Sequence, residues 1–178
     1  MTKLSFLLIL SFALVISCGQ SSSKNSKNNT VANAKKTTDT IPTAQFYLDT
    51  NIIAILPIDK SNPWLFKNAK SVNLTNEELI NVDLILKACL NTHNVKQETT
   101  KQFSEFIDLK KYKRQYVPFI DANGERKVYI NCFCTTDWGF DHWKKTLVEV
   151  DDGGSCFFQL IINLTKLKYE QFSTNGYG

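Results

Sequence analysis

Leu74-Thr75-Asn76-Glu77-Glu78-Leu79-Ile80-Asn81-Val82-Asp83-Leu84-Ile85-Leu86-Lys87-Ala88-Cys89-Leu90 is the stretch from which the architecture can be read. Thr75 and Glu78 stand three residues apart, the spacing of a capping box, and Leu74 and Leu79 bracket them as a hydrophobic staple. A helix is therefore predicted to begin at Thr75 or Asn76. Leu79, Val82, Ile85, Leu86, Cys89 and Leu90 then recur every three or four residues, opposite Glu77, Asn81, Asp83 and Lys87. One face is apolar and the other wet, so the helix requires a sheet or a second helix to pack on. The pattern fades through Asn91-Thr92-His93-Asn94, which predicts a helix end there and a loop over 96–101. A short second helix is predicted over 102–110, where Phe103, Phe106 and Ile107 share a side.

From Tyr112 onward the period changes from 3.6 to 2. Segments 112–120 and 126–134 flank Asp121-Ala122-Asn123-Gly124-Glu125, in which Asn-Gly supplies the positive φ of a tight hairpin turn. Segments 145–150 and 156–164 flank Asp151-Asp152-Gly153-Gly154-Ser155 and predict a second hairpin, with Val148, Val150, Phe158, Leu160 and Ile162 alternating inward. Residues 167–172 are expected to return as a fifth strand or a last helical turn. Upstream, the β-branched run 52–56 ends at Pro57 and predicts an edge strand. Trp64-Leu65-Phe66 is expected to plug one end of the core. The fold class that follows is α+β: one main amphipathic helix packed on a four- to five-stranded antiparallel meander sheet, spanning residues 46–178. Cystatin-like folds have a similar order of elements, an architectural resemblance that carries no function.

With 178 residues, 43% hydrophobic and 21% charged, the composition is globular and leaves room for one ordinary domain plus appendages. The net charge of +4 does not come from that domain. Lys3, Lys24, Lys27, Lys35 and Lys36, with Asp39, lie outside it, and residues 46–178 carry equal numbers of basic and acidic side chains. A nucleic-acid partner is excluded by the lack of the electrostatic excess on which such binding depends.

The first residues supply an address. Met1-Thr2-Lys3 is a short positive segment followed by an apolar run over 4–16, below the ~20 residues of a spanning helix. This predicts a secretory signal peptide over 1–17. Val15-Ile16-Ser17-Cys18 resembles the lipobox of bacterial lipoproteins, which implies diacylation of Cys18 and a lipid bilayer as its partner. Residues 18–45 comprise that cysteine and a polar stretch with almost nothing to bury, expected to act as a flexible tether reaching roughly 30 Å. Asp39-Thr40-Ile41 resembles the acceptor motif of the O-glycosylation system of Bacteroidota, which implies modification at Thr40. No acidic cluster follows Cys18, so an outer-membrane position facing the periplasm is expected over surface exposure.

Four cysteines remain for the domain: Cys89, Cys132, Cys134 and Cys156. Export favours disulfides, and the predicted bridge joins Cys156 to Cys132 or Cys134. Adjacent-alternate cysteines in a strand lie near the outer limit of disulfide geometry, which disfavours Cys132 to Cys134. Cys132, Cys134, Cys156 and His142 would make a Cys₃His zinc set, but Cys-x-Cys lacks the usual two-residue spacer, so no metal and no other cofactor is expected. Thr135-Thr136-Asp137-Trp138-Gly139-Phe140-Asp141-His142-Trp143 is the densest polar and aromatic stretch. Two readings compete for it. Trp138, Phe140 and Trp143 would form a contact patch for an envelope protein, or Cys132 or Cys134 with His142, oriented by Asp137 or Asp141, would act as a thiol-dependent hydrolase.

Trp64-x-Phe66-Lys67-Asn68-Ala69, Leu74-Thr75-x-x-Glu78, Asn131-Cys132-Phe133-Cys134, Trp143-Lys144-Lys145, Asp152-Gly153-Gly154-x-Cys156-Phe157-Phe158, Asn163-Leu164-Thr165 and Asn175-Gly176-Tyr177 together resemble a group of small lipoproteins of Bacteroidota. The resemblance covers most of residues 60–178 and implies no particular activity. The expectation is therefore a membrane-anchored lipoprotein of the cell envelope whose domain is a non-enzymatic binding module, with the thiol hydrolase as the alternative.

Overall fold

The computed structural model describes residues 45–60, 64–134 and 139–177. All belong to the second of two units, residues 42–178. Its elements are β1 (Ile53–Ile55), β2 (Lys70–Ser71), α1 (Asn76–Thr100), β3 (Lys113–Ile120), β4 (Arg126–Phe133), β5 (Phe157–Asn163) and β6 (Lys168–Thr174). The sheet runs β1-β3-β4-β5-β6, with β2 also pairing β3. The α+β class, with one main helix packed on a sheet, is as read from the sequence, but the sheet is mixed and six-stranded where a four- to five-stranded antiparallel meander is expected; only β3 to β6 form such a meander. The departure lies at the other edge. β1 is parallel to β3, while β2 pairs antiparallel with the far end of the same strand. The chain leaves β1, crosses through α1 and returns as β3 in the same direction, the long connection that parallel neighbours require.

The start of α1 has the predicted chemistry. The Glu78 amide donates to Thr75 Oγ1 at 3.2 Å and the Thr75 amide to Glu78 Oε2 at 2.9 Å. Glu78 also receives Arg126 of β4, Nε at 2.5 Å and Nη2 at 2.9 Å, and Nη2 donates to Asn73 O at 2.9 Å. The Arg126 guanidinium, countered in part by desolvation, holds the Glu78 carboxyl below its usual value. This clamp ties the helix N-terminus to the first residue of β4.

The far end of α1 corrects the sequence reading. The helix continues through Asn91-Thr92-His93-Asn94 and the expected loop over 96–101 as far as Thr100, where Lys101 closes it in the left-handed region at φ 59°. The polar residues that weaken the periodicity bond across to the following chain. His93 Nε2 lies 2.8 Å from Glu105 O, and Asn94 bonds both the N–H and the C=O of Ile107 at 2.9 Å. The expected helix over 102–110 is instead two 3₁₀ turns, Phe103–Glu105 and Leu109–Lys111. Ile107 is buried while Phe103 and Phe106 are exposed, so the three do not form one packed side.

Strand alternation divides the core in two. On the front face Tyr116, Val128, Ile130, Cys132, Phe158, Leu160 and Ile162 meet Val82, Leu86, Cys89 and Leu90 of α1. On the back face Val117, Phe119, Phe133, Phe157 and Ile161 are covered by Phe66, Trp143 and Val148 from loops.

That back layer overturns the second predicted hairpin. Residues 145–150 form no strand. Their backbone is held by side-chain amides from the sheet beneath. Gln115 Nε2 donates to Trp143 O at 2.5 Å and Thr146 O at 2.7 Å, and Gln115 Oε1 accepts from the Val148 amide at 2.9 Å. Asn131 Nδ2 donates to Gln115 Oε1 at 3.0 Å and to Val148 O at 2.7 Å, and Asn175 Nδ2 reaches Val150 O and Asp152 O. Gln115, Asn131 and Gln159 are Cα partners across β3, β4 and β5, so they stand in a row under the loop. The alternation of Val148 and Val150 arises because the chain lies on an apolar floor, and strand pairing is not needed to produce it.

The Cys134–Cys156 disulfide ties the end of β4 to the start of β5, with Cα atoms 5.0 Å apart. Beside it Gly154 sits at φ +56°, a left-handed conformation that favours glycine, with the exposed Tyr177 ring packed over it.

Candidate functional site

The predicted thiol chemistry is not assembled. Cys134 is bonded to Cys156. Cys132 is fully buried on the helix side of the sheet, and its thiol is pushed far above its ordinary range by desolvation. Cys89, on α1 in the same core, is raised to about 11 by burial. His142 is exposed, in the loop that covers the opposite face. The sheet itself therefore separates Cys132 from His142, and neither the nucleophile–base pair nor the Cys₃His set exists. Asp137 and Trp138 lie outside the described residues, as do Cys18 and Thr40.

The expected contact patch is also different in kind. Trp143 is buried and meets Phe133 edge to face at 5.9 Å, while half-buried Phe140 contacts Phe133 and Phe157. Lys113 Nζ sits 4.9 Å from the centroid of the Trp143 ring. These aromatics close the back core and are not surface anchors. The residue expected as part of a plug takes the exposed role. Phe66 is buried between Phe119 and Tyr129, both met edge to face, whereas Trp64, two residues earlier, is 73% exposed.

Trp64 forms one wall of a cleft of about 350 Å³ on the back face, lined with Tyr129, Gln159, Ile161, Gln171 and Ser173. Three strands position these groups. Tyr129 of β4 is the Cα partner of Ile161 of β5, and Gln159 of β5 is the partner of Ser173 of β6. Between those pairs the register of β6 slips by one residue, a β-bulge. Gln171 occupies it at φ 54°, a left-handed conformation that a non-glycine residue holds only at a cost of ~1–3 kcal/mol. The bulge breaks the alternation, so two consecutive residues serve the back face. Glu170 bonds Lys127 at 3.2 Å, and Gln171 is added to the cleft lining. Bulges re-aim side chains in this way beside functional sites.

The chemistry of the lining is uniform: aromatic, amide, hydroxyl and aliphatic, with no charged side chain. Gln159 is held in place by its Nε2, which donates to Asn175 Oδ1 at 3.1 Å and Asn131 Oδ1 at 3.4 Å, leaving its carbonyl as the group to offer a ligand. The Tyr129 hydroxyl, raised by burial, stays protonated at neutral pH and is a donor. Such a surface can stack and hydrogen-bond a neutral molecule. A depression of about 410 Å³ between Pro57 and Ser71 is larger, but it is rimmed by Asp59, Lys60 and Lys67 and has no exposed aromatic wall.

Next to the cleft the charges are satisfied internally. Lys127 bridges Asp121 at 3.0 Å, Glu170 at 3.2 Å and Glu125 at 3.5 Å, and fully buried Asn163 donates to Glu125 and Glu170. Desolvation opposes the charge on Lys127, but its carboxylate partners outweigh it and raise its pKa. Nothing in the sequence singled out Gln159 or Gln171, since a glutamine in a strand has no pattern of its own and the bulge is visible only in the register. Trp64 was legible as an aromatic, though not as an exposed one. No protein-family model, no curated protein and no solved structure matches this chain.

Proposed function

We propose that this chain is a lipoprotein of the cell envelope, anchored through acylated Cys18 on the periplasmic side of the outer membrane, whose domain is a non-enzymatic binding module acting through the back-face cleft. The observation that carries this reading is the disposition of the domain cysteines. Two are joined in a disulfide, the state favoured in oxidising compartments outside the cytosol, and two are sealed in the core, where desolvation raises the thiol pKa and disfavours the thiolate. The apolar run ending at Val15-Ile16-Ser17-Cys18 supports the same address, and two or more acyl chains give the stable attachment that one chain does not. The uncharged cleft, built from three strands and a strained bulge, supports recognition by stacking and neutral hydrogen bonds. Replacing Cys18 by serine is expected to move the protein from the membrane fraction to the soluble fraction, and unchanged partitioning would refute the anchor.

A further inference from the structure

We infer that the back-face cleft takes a neutral saccharide, an inference that rests on the binding-module reading and names its ligand class. Three observations converge on it. Trp64 presents an open aromatic face, 73% exposed, at the cleft wall. The face of an indole carries the negative part of its quadrupole, and a pyranose ring presents C–H groups of the opposite polarity across a flat apolar side, so the two stack. The rest of the lining supplies the other requirement of a sugar, which is hydrogen bonding in both directions without charge. Gln159 and Gln171 are amides, Tyr129 and Ser173 are hydroxyls, and all four stand round the same space. A cleft of about 350 Å³ also lies in the range of small-molecule sites.

The charge pattern argues against anionic or cationic ligands. No charged side chain is in the lining: Lys127, Asp121, Glu125 and Glu170 are bonded to one another, and Glu149 acts on the Tyr129 hydroxyl from outside it. The bulge argues against a peptide added along β6, because Gln171 at φ 54° interrupts the regular backbone edge that strand addition needs. The same strain becomes intelligible if it keeps Gln171 in the cleft.

The test uses the full lipidated chain in a detergent without a sugar headgroup, titrated with a panel of neutral di- to tetrasaccharides of gluco, manno, galacto and N-acetylhexosamine configuration. Calorimetry is expected to find at least one ligand, with Trp64→Ala weakening it by about tenfold, equivalent to ~1.4 kcal/mol. Trp64→Phe is expected to keep most of the affinity, since the aromatic wall remains. Gln171→Gly is expected to raise the melting temperature by relieving the positive φ and to weaken the sugar, a divergence that a purely structural glutamine would not show. No binding across the panel up to ~10 mM overturns the proposal, as does equal binding by Trp64→Ala. Binding of a neutral six-residue peptide in place of any sugar also overturns it, while leaving the binding module standing. Hydrolysis of a bound sugar would support the ligand class and overturn the non-enzymatic reading.

Discussion

The two faces of this sheet are covered by different means. On the front, α1 satisfies its own backbone hydrogen bonds, so it needs from the sheet only an apolar surface: Val82, Leu86 and Leu90 against Tyr116, Ile130 and Leu160. On the back, the cover is irregular chain from 143 to 152, whose peptide groups have no ladder. The sheet therefore raises a row of amides: Gln115 and Asn131 bond that chain at one carbonyl and amide after another, and Gln159 braces the side chains of Asn131 and Asn175. A helix can be laid on a surface by hydrophobic burial alone. A loop must be hydrogen-bonded down as well, and the polar groups this requires also make the back face able to recognise polar ligands.

The largest test of that contrast lies on the front. Leu86 is fully buried, and Leu86→Ala is expected to cost about 2–5 kcal/mol of global stability in a denaturant melt. A loss below that range would mean the helix seam repacks freely. The corresponding break on the back is Gln115→Ala. It orphans the buried Val148 amide and Trp143 carbonyl, at about 1–3 kcal/mol for a buried group left unpaired, and frees the Thr146 carbonyl to water. Hydrogen exchange should show the Val148 amide losing protection while α1 stays protected, and uniform behaviour of the two would contradict a separately fastened loop.

The smallest effect sharpens the join between helix and sheet. Arg126 holds the folded Glu78 carboxyl below its ordinary value of 4.5, so the clamp contributes stability above that pH. The contribution is lost as pH falls through the folded value. Stability measured from pH 7 to 3 is expected to fall more steeply below about 4.5 in the native chain than in Glu78→Gln, with added salt narrowing the gap. Parallel curves would remove Glu78 from the acid response.

Much of the front face was legible in sequence, and the back face was not. Thr75 and Glu78 are three residues apart and settle the helix start between themselves, as Asn123-Gly124 settles the β3–β4 turn. His93 and Asn94 misled because their partners, Glu105 and Ile107, are reached only when the chain folds back. Residues 145–150 misled because alternation records a buried floor and says nothing about what bonds the backbone. The contact patch misled for a related reason: Trp143 and Trp64 are equally aromatic, and only the layers above and below decide which is buried.

What the sequence determined by itself is whatever depends on neighbours within a few residues: the cap, the amphipathic stripe, the hairpin turn and the strand period. The tertiary structure alone decided the parallel return of β1 beside β3, the pairing of Cys156 with Cys134 while Cys132 turns to the helix, and the bulge that sends Gln171 to the cleft. The physical reason is common to all three. Each depends on which distant strand satisfies a given peptide group, and a one-residue slip in that pairing exchanges the two faces of the sheet.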